Sequence, residues 1–493
     1  MKGALNMSES IARADEFICA NSGLVNRQFM PIYHCVHPIG WINDPNGFSY
    51  WKGQYHLFSQ FYPYKPVWGP MHWGHWVSRD LVKWDWVGTA LAPDSPFDDL
   101  GCFSGTAVPD GDRLILMYTG VHKDASGRTV QEQCIATTTD GVHFDKWPCN
   151  PVINASHLPA DGSPVDFRDP KLLRTETGWR AIVANRGEKV GRQLSFSSPD
   201  LVNWTCDGIF LEGIGEMPEC PDYFDLDGKK AMITCAIGME REGLRFPSTQ
   251  PVVYLLGEET DGRLVPEVME AVDNGAEFYA PETVLTPDGR RVMLGWLHMW
   301  GHKAPTQYLG HNWCGMYSLP RELFIKDGRM CQRPLEELKA LRGEEFSLSG
   351  LRVQGETAAE GLAGRHYELE VELTPNGDAE VELKLMRTGD EYFSLRYDPA
   401  SRIITCDRSR GGYELRPDEQ SVPETCSRAV VPGDCSKLRL RIFVDTSSVE
   451  VFVNDGAPVL SMRNYPTGEA QGISFAGDFT IDSLRKWELR AAR

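Results

Sequence analysis

The sequence predicts an all-β chain: a five-bladed β-propeller followed by a β-sandwich. Three observations predict it. First, NDPNGFSYWKGQYHLF, RDPKLLRTETGWRAIV and ECPDYFDLDGKKAMIT each place an acid nine residues before a turn glycine: Asp44 before Gly53, Asp169 before Gly178, Glu219 before Gly228. YAPETVLTPDGRRVML has the same form with Ala280 before Gly289, and CFSGTAVPDGDRLILMY fits with a shorter lead. Second, SRDLVKW, TTDGVHF and SSPDLVNW set Asp80, Asp140 and Asp200 sixty residues apart, a blade-sized period. Third, beyond residue 350 apolar and polar residues alternate, as in half-buried antiparallel strands.

Taken in order, residues 1–30 form an arm in which Ser8 to Cys19 reads as a short helix. Residues 31–335 carry the five turn-then-strand signals GQYHLF, GDRLILMY, GWRAIV, GKKAMIT and GRRVMLGW. Short β-rich runs bounded by Gly, Asp and Pro read as hairpins. The innermost strand of each blade would line a central channel, so acids distant in sequence would meet in one funnel. Residues 336–349 are a linker, and PLEELKAL has helical spacing. Residues 350–493 hold HYELEVEL, AEVELKLM, YFSLRYD, RIITCD, KLRLRIFVD and SSVEVFVND, the strands of a sandwich.

Bulk properties narrow the function. With 493 residues, 41% apolar and 24% charged, the chain predicts a soluble protein of two domains. No apolar run approaches the ~18–20 residues of a membrane span, and the N-terminus has no continuous apolar region of a secretory signal. The thirteen cysteines are scattered without CxxC pairs, which points to a reducing cytoplasm. A net charge of −19 argues against nucleic acid and leaves a neutral sugar open. A homo-oligomer is allowed but not required.

Three converging acids suit glycoside hydrolysis. Retention needs a nucleophilic carboxylate and a second carboxyl that serves as acid, then base. Asp44, beside Asn43 in a Pro-Asn-Gly turn, is expected in a polar setting that keeps it ionised. Glu219, in the less polar Met-Pro-Glu-Cys-Pro run, is expected to be partly desolvated and to hold its proton. Asp169 follows Arg168, and strand neighbours face opposite ways, so that pair is left open. Each motif also has a bland reading, DPNG as a turn and RDP as a blade ion pair, but the matching offsets favour a shared site.

Aromatic residues near these motifs are Trp41, Trp68, Trp73, Trp76, Phe103, Tyr279 and Trp296. Apolar sugar faces pack on such rings, and Gln60 and Ser104 can bind hydroxyls; Trp68 and Phe103 are the stronger candidates for lining the pocket, and Trp73 and Trp76 the weaker, since propeller cores also use Trp. His72 and His75 in MHWGHW, and His298 and His302 in LHMWGH, lack a helix with HExxH or matched Cys/His pairs, so no metal is expected. There is no phosphate loop and no GxSxG elbow.

The chain resembles glycoside hydrolase family 32, the invertases, fructanases and sucrose-6-phosphate hydrolases. The resemblance rests on HPIGWINDPNG (37–47), FSQFYPYKPVWGPMHWGH (58–75), FSGTAV (103–108), FRDPK (167–171), ECPDYF (219–224), FYAPET (278–283) and SLPREL (318–323), with RIFVDTSSVEVFVNDG (441–456) in the second domain. It implies a retaining mechanism on β-linked fructosyl groups, with Asp44 as nucleophile, Glu219 as acid/base and Asp169 as transition-state stabiliser. Asn43, Gln60, Trp68, Phe103, Ser104 and Arg168 match sugar-binding positions, and no cofactor is implied. Trp76, Glu277, Glu282 and the segment GWLHMWGHKAPTQ (295–307) depart from the usual pattern and are expected at the funnel rim, shaping substrate preference. The expected substrates are sucrose, its 6-phosphate or short fructo-oligosaccharides. The competing readings are a fructosyltransferase, a difructose-anhydride enzyme, and a carbohydrate-binding propeller without catalysis.

Overall fold

The computed structural model describes residues 8–187, 190–418, 422–433 and 436–492. A helix over Glu9–Asn21 starts where Ser8 accepts the Ile11 N–H, and its Asp15 accepts Thr89 N–H and O–H on the outer edge of the first blade.

Among the described residues, five antiparallel sheets follow as blades. Their inner strands are Gly40–Trp51 (blade I), Gly101–Asp110 (II), Phe167–Thr175 (III), Met217–Leu226 (IV) and Tyr279–Leu285 (V). Each inner strand neighbours the next, and V returns to I, closing a ring. Blade I gains a fifth strand, Trp313–Cys314, which pairs in parallel with Gly40 and Trp41 and clasps the ring. The sixty-residue repeat is the turn after the third strand of blades I to III. Ser78, Thr138 and Ser198 each accept two backbone N–H groups there, and Asp80, Asp140 and Asp200 each accept two more. Side chains thus satisfy a tight turn's donors.

PLEELKAL forms a 3₁₀ turn over Glu336–Leu341. In the second domain the strand Gly472–Leu489 pairs with Val381–Thr388 over its first third. Over the rest it pairs with Tyr367–Pro375 and Arg342–Gln354, so one long strand joins both layers. The strand Ser448–Val453 is buried along its whole length. Val449, Val451 and Val453 face the sandwich core, while Phe452 joins the propeller core.

A buried ionic network joins the domains. His34 lies 2.8 Å from both Asp445 and Glu450, and Arg321 binds Glu450 and Asp273. Burial opposes a charge on His34, but the two carboxylates outweigh it and hold its pKa above the usual value. Asp445 and Glu450, despite their burial, are held down at about 2. Glu277, expected at the rim, is fully buried here instead: it binds Arg408 and accepts the Arg463 N–H of the second domain.

Candidate active site

Every inner strand carries a β-bulge at the same depth, and the bulges aim the functional side chains into the channel. In blade I, Asn43 and Asp44 lie opposite Gln60; in blade II, Ser104 is the extra residue. In blades III, IV and V the bulged pairs are Asp169–Pro170, Cys220–Pro221 and Ala280–Pro281. The first residue of each of these three pairs has positive φ, 62°, 50° and 45°. That conformation is costly for a residue with a Cβ and persists where packing enforces it.

This register corrects one sequence inference. Counting nine residues back from the turn glycine aligned Glu219 with Asp169, but the bulge aligns Cys220 with Asp169. Gly178 opens the second strand of blade III, whereas Gly228 lies in the loop of blade IV, so the count slips by one. Glu219 is instead in register with Arg168 and Tyr279, the residues before the bulges in blades III and V. Arg168 donates to Glu219 Oε1 at 2.7 and 2.9 Å, and the Tyr279 hydroxyl donates to Glu219 Oε2 at 2.7 Å. Arg168 is held in turn by Asp166 and Gln131.

The three acids meet. Ser104 Oγ donates to Asp44 Oδ2 at 2.6 Å and Asn43 Nδ2 donates to Oδ1 at 3.1 Å. The Cys220 thiol lies 3.7 Å from Asp44 Oδ2 and 3.7 Å from Asp169 Oδ2, and the Cys220 N–H donates to Asp169 at 3.1 Å. Burial raises Asp44 to about 6, with Glu219 adding to the rise and Ser104 and Asn43 opposing it. Asp169 is raised to about 7 by burial and by Glu219, against Arg168. The expectation that a polar turn would keep Asp44 at an ordinary carboxylate pKa is therefore reversed, because burial outweighs the local hydrogen bonds.

Around the acids, Trp41 donates through Nε1 to Asn43, and buried Gln60 donates to the Cys102 carbonyl. Trp68 is half exposed and meets Phe103 edge-on at 5.9 Å, forming an aromatic wall. Trp73 holds the Phe103 carbonyl from within blade I. Three expected positions move. Trp296 is fully buried and supports Trp41 and Tyr279 edge-on from behind, so its ring does not face the mouth. Trp76 packs inside blade I against His37 and Trp86, two strands away from the channel, and not at the rim. Glu282 lies on the inner strand of blade V beneath the acids.

The sequence reading missed Cys220 and Trp300. Cys220 was adjacent to a chosen acid; Trp300, partly exposed 6.0 Å from Trp41, lies in the segment already marked as atypical. His75 is stacked on Phe58 and bonded to His56, and His298 is buried beside Trp41. Among the described residues no three His, Cys, Asp or Glu groups are placed to hold a metal, and no helix is long and apolar enough to cross a membrane.

Residues 34–334 match the model for the N-terminal domain of glycosyl hydrolases family 32, and residues 337–488 match its C-terminal model. The chain is 35% identical to a raffinose invertase of Escherichia coli over 99% of this chain and 100% of that one. A Bombyx mori β-fructofuranosidase mutant solved with sucrose superimposes with a TM-score of 0.85 at 32% identity, covering 99% of each chain. A sucrose-6-phosphate hydrolase from Lactobacillus gasseri gives 0.87 at 28% identity, covering 97% of each.

Proposed function

This chain belongs to glycosyl hydrolase family 32 and is a glycoside hydrolase of fructosyl linkages, and from that premise we propose how its residues divide the reaction. Asp44 attacks the anomeric carbon of a terminal β-fructofuranosyl unit while Glu219 protonates the departing oxygen. Water, deprotonated by Glu219, then displaces Asp44 and releases fructose with retention. Asp169 accepts hydrogen bonds from the fructosyl hydroxyls and offsets positive charge at the anomeric centre. The convergence of three carboxyl groups from three blades carries this reading, with Cys220 between Asp44 and Asp169 and with Arg168 and Tyr279 fixing Glu219.

Ser104 and Asn43 aim the nucleophile, and Trp68 and Phe103 supply an apolar wall for the sugar. The substrates are sucrose, sucrose 6-phosphate or short fructo-oligosaccharides, the first two supported by the names of the relatives. The twelve described cysteines are free thiols, which supports a cytoplasmic setting; recovery of the native protein with disulfides would count against it.

Fructose release is measured on sucrose, sucrose 6-phosphate, and short inulin-type and levan-type oligosaccharides, with Asp44→Asn as control. Release by the wild type alone, with the variant folded, is expected. Wild-type rates in Asp44→Asn would overturn the nucleophile assignment, and transfer products at high sugar concentration would favour a fructosyltransferase.

A further inference from the structure

Beneath the three acids lies a second polar layer that the reaction scheme leaves unused. The residues immediately after the bulges of blades III, IV and V are Lys171, Asp222 and Glu282. Asp222 and Glu282 line a small cavity of about 20 Å³ that Asp169 and Cys220 also border. All three residues are buried, at 9%, 1% and 6% exposure. Lys171 Nζ lies 2.6 Å from Asp222 Oδ1 but 3.9 Å from Glu282 Oε1. The other Glu282 oxygen accepts the Phe48 N–H at 2.9 Å. Phe48 is on the strand that carries Asp44, and Lys171 is two residues past Asp169.

Distance assigns the Lys171 ammonium to Asp222, and the Arg291 guanidinium also acts on Asp222 while Glu282 has only the more distant Lys171. A second ionised carboxylate here would be an uncompensated buried charge, which is strongly disfavoured. We propose that Glu282 is a positioning residue: as a neutral carboxylic acid it ties the strand of blade I, at Phe48, to the Lys171–Asp222 pair of blades III and IV, and thereby spaces Asp44 against Asp169 and Glu219. Burial pushes Glu282 up to about 8, with Asp222 adding to the rise and Lys171 opposing it. The other groups facing it are Tyr317, which reaches the Asp44 carbonyl and feels the Glu282 charge, and the uncharged Asn46 and Thr106 of blades I and II. Above its pKa, Glu282 competes with Asp222 for Lys171 and disturbs the strand of Asp169.

The inference rests on the fructoside-hydrolase reading. Glu282→Gln and Glu282→Leu are compared with the wild type on sucrose across pH, with thermal melts of each. Glu282→Gln, which keeps the bridge and cannot ionise, should turn over about as fast as the wild type and extend its alkaline limb to higher pH. Glu282→Leu, which breaks the bridge, should lose kcat by up to about 100-fold, the scale of a 1 Å misplacement, with KM little changed. Equal damage in both variants, full turnover in Glu282→Leu, or an unmoved alkaline limb in Glu282→Gln overturns the proposal. If Glu282→Leu does not fold, the alkaline limb of Glu282→Gln decides alone. A wild type silent on every fructoside sinks the reading beneath it instead.

Discussion

Replacing Ser104 with alanine tests how the nucleophile is kept ionised. Ser104 donates a 2.6 Å hydrogen bond to a buried carboxylate that burial has raised to about 6. A hydrogen bond to a charged group contributes about 1.5–3 kcal/mol, and about 1.4 kcal/mol equals one pH unit. Without the hydroxyl the Asp44 carboxyl should rise by about 1–2 pH units, to about 7–8. The sign is fixed: the hydroxyl bonds the charged form, so its loss favours the proton and the nucleophile ionises only at higher pH. At pH 6 the ionised fraction should fall by about 5–50-fold, and kcat/KM on sucrose with it. The loss should shrink as the pH is raised towards 8. Asp44 and Asp169 interact, so the acidic limb belongs to the pair and should move as a whole. A pH profile of kcat/KM, which reports the free enzyme, measures this directly. A loss of the same size at every pH, or a limb that moves to lower pH, would refute the argument and make Ser104 a contact to the sugar alone.

Two further outcomes are expected. Glu219→Gln can accept from Arg168 through its one carbonyl oxygen and donate from its amide to the Tyr279 hydroxyl but cannot act as an acid, so it should slow sucrose far more than an activated fructoside; equal losses on both would count against its acid role. His34→Gln should destabilise the fold by about 3–5 kcal/mol, the usual cost of removing one partner from a buried ion pair. Because the pKa of His34 is raised in the fold, its contribution is whole below about 6.5, the unfolded value, and fades as pH climbs through the folded one. The gap between wild-type and variant melting temperatures should therefore narrow with rising pH, and a constant gap would show that His34 acts by packing. Asp445 and Glu450, held at about 2, add a contribution that is lost only as pH falls towards that value.

Local chemistry made the blades legible in the chain. Each hairpin announces itself by a turn residue with a fixed conformational or hydrogen-bonding task, as Asp80, Asp140 and Asp200 do. Asp44 and Asp169 could be read because each stands nine residues before a turn glycine. Glu219 could be chosen, but its layer could not, since a glycine marks a turn without fixing its place in it. The surroundings of the acids were beyond reach. Arg168 meets Glu219 across 51 residues, and Glu277 meets Arg408 across 131. A departure from a familiar motif shows that a position is unusual without showing where it lies: Trp76 is in a blade interior, Glu277 is at the domain junction, and Glu282 is in the channel.

The parallel pairing of Gly40 and Trp41 with Trp313 and Cys314 also orders events in time. Synthesis runs from the N-terminus, so the first blade emerges first and acquires its last strand when the ring is almost made. The delay spans roughly 270 residues, about 14–55 s at ordinary elongation rates. Throughout it Gly40 and Trp41, at the start of the strand bearing Asp44, keep an open edge, the kind of edge that recruits other chains, while Trp41 has yet to gain its neighbours at Trp296 and Trp300. All three carboxylates are translated long before that edge is covered. Competence for catalysis thus arrives with ring closure, well after the last of the reacting groups has been made.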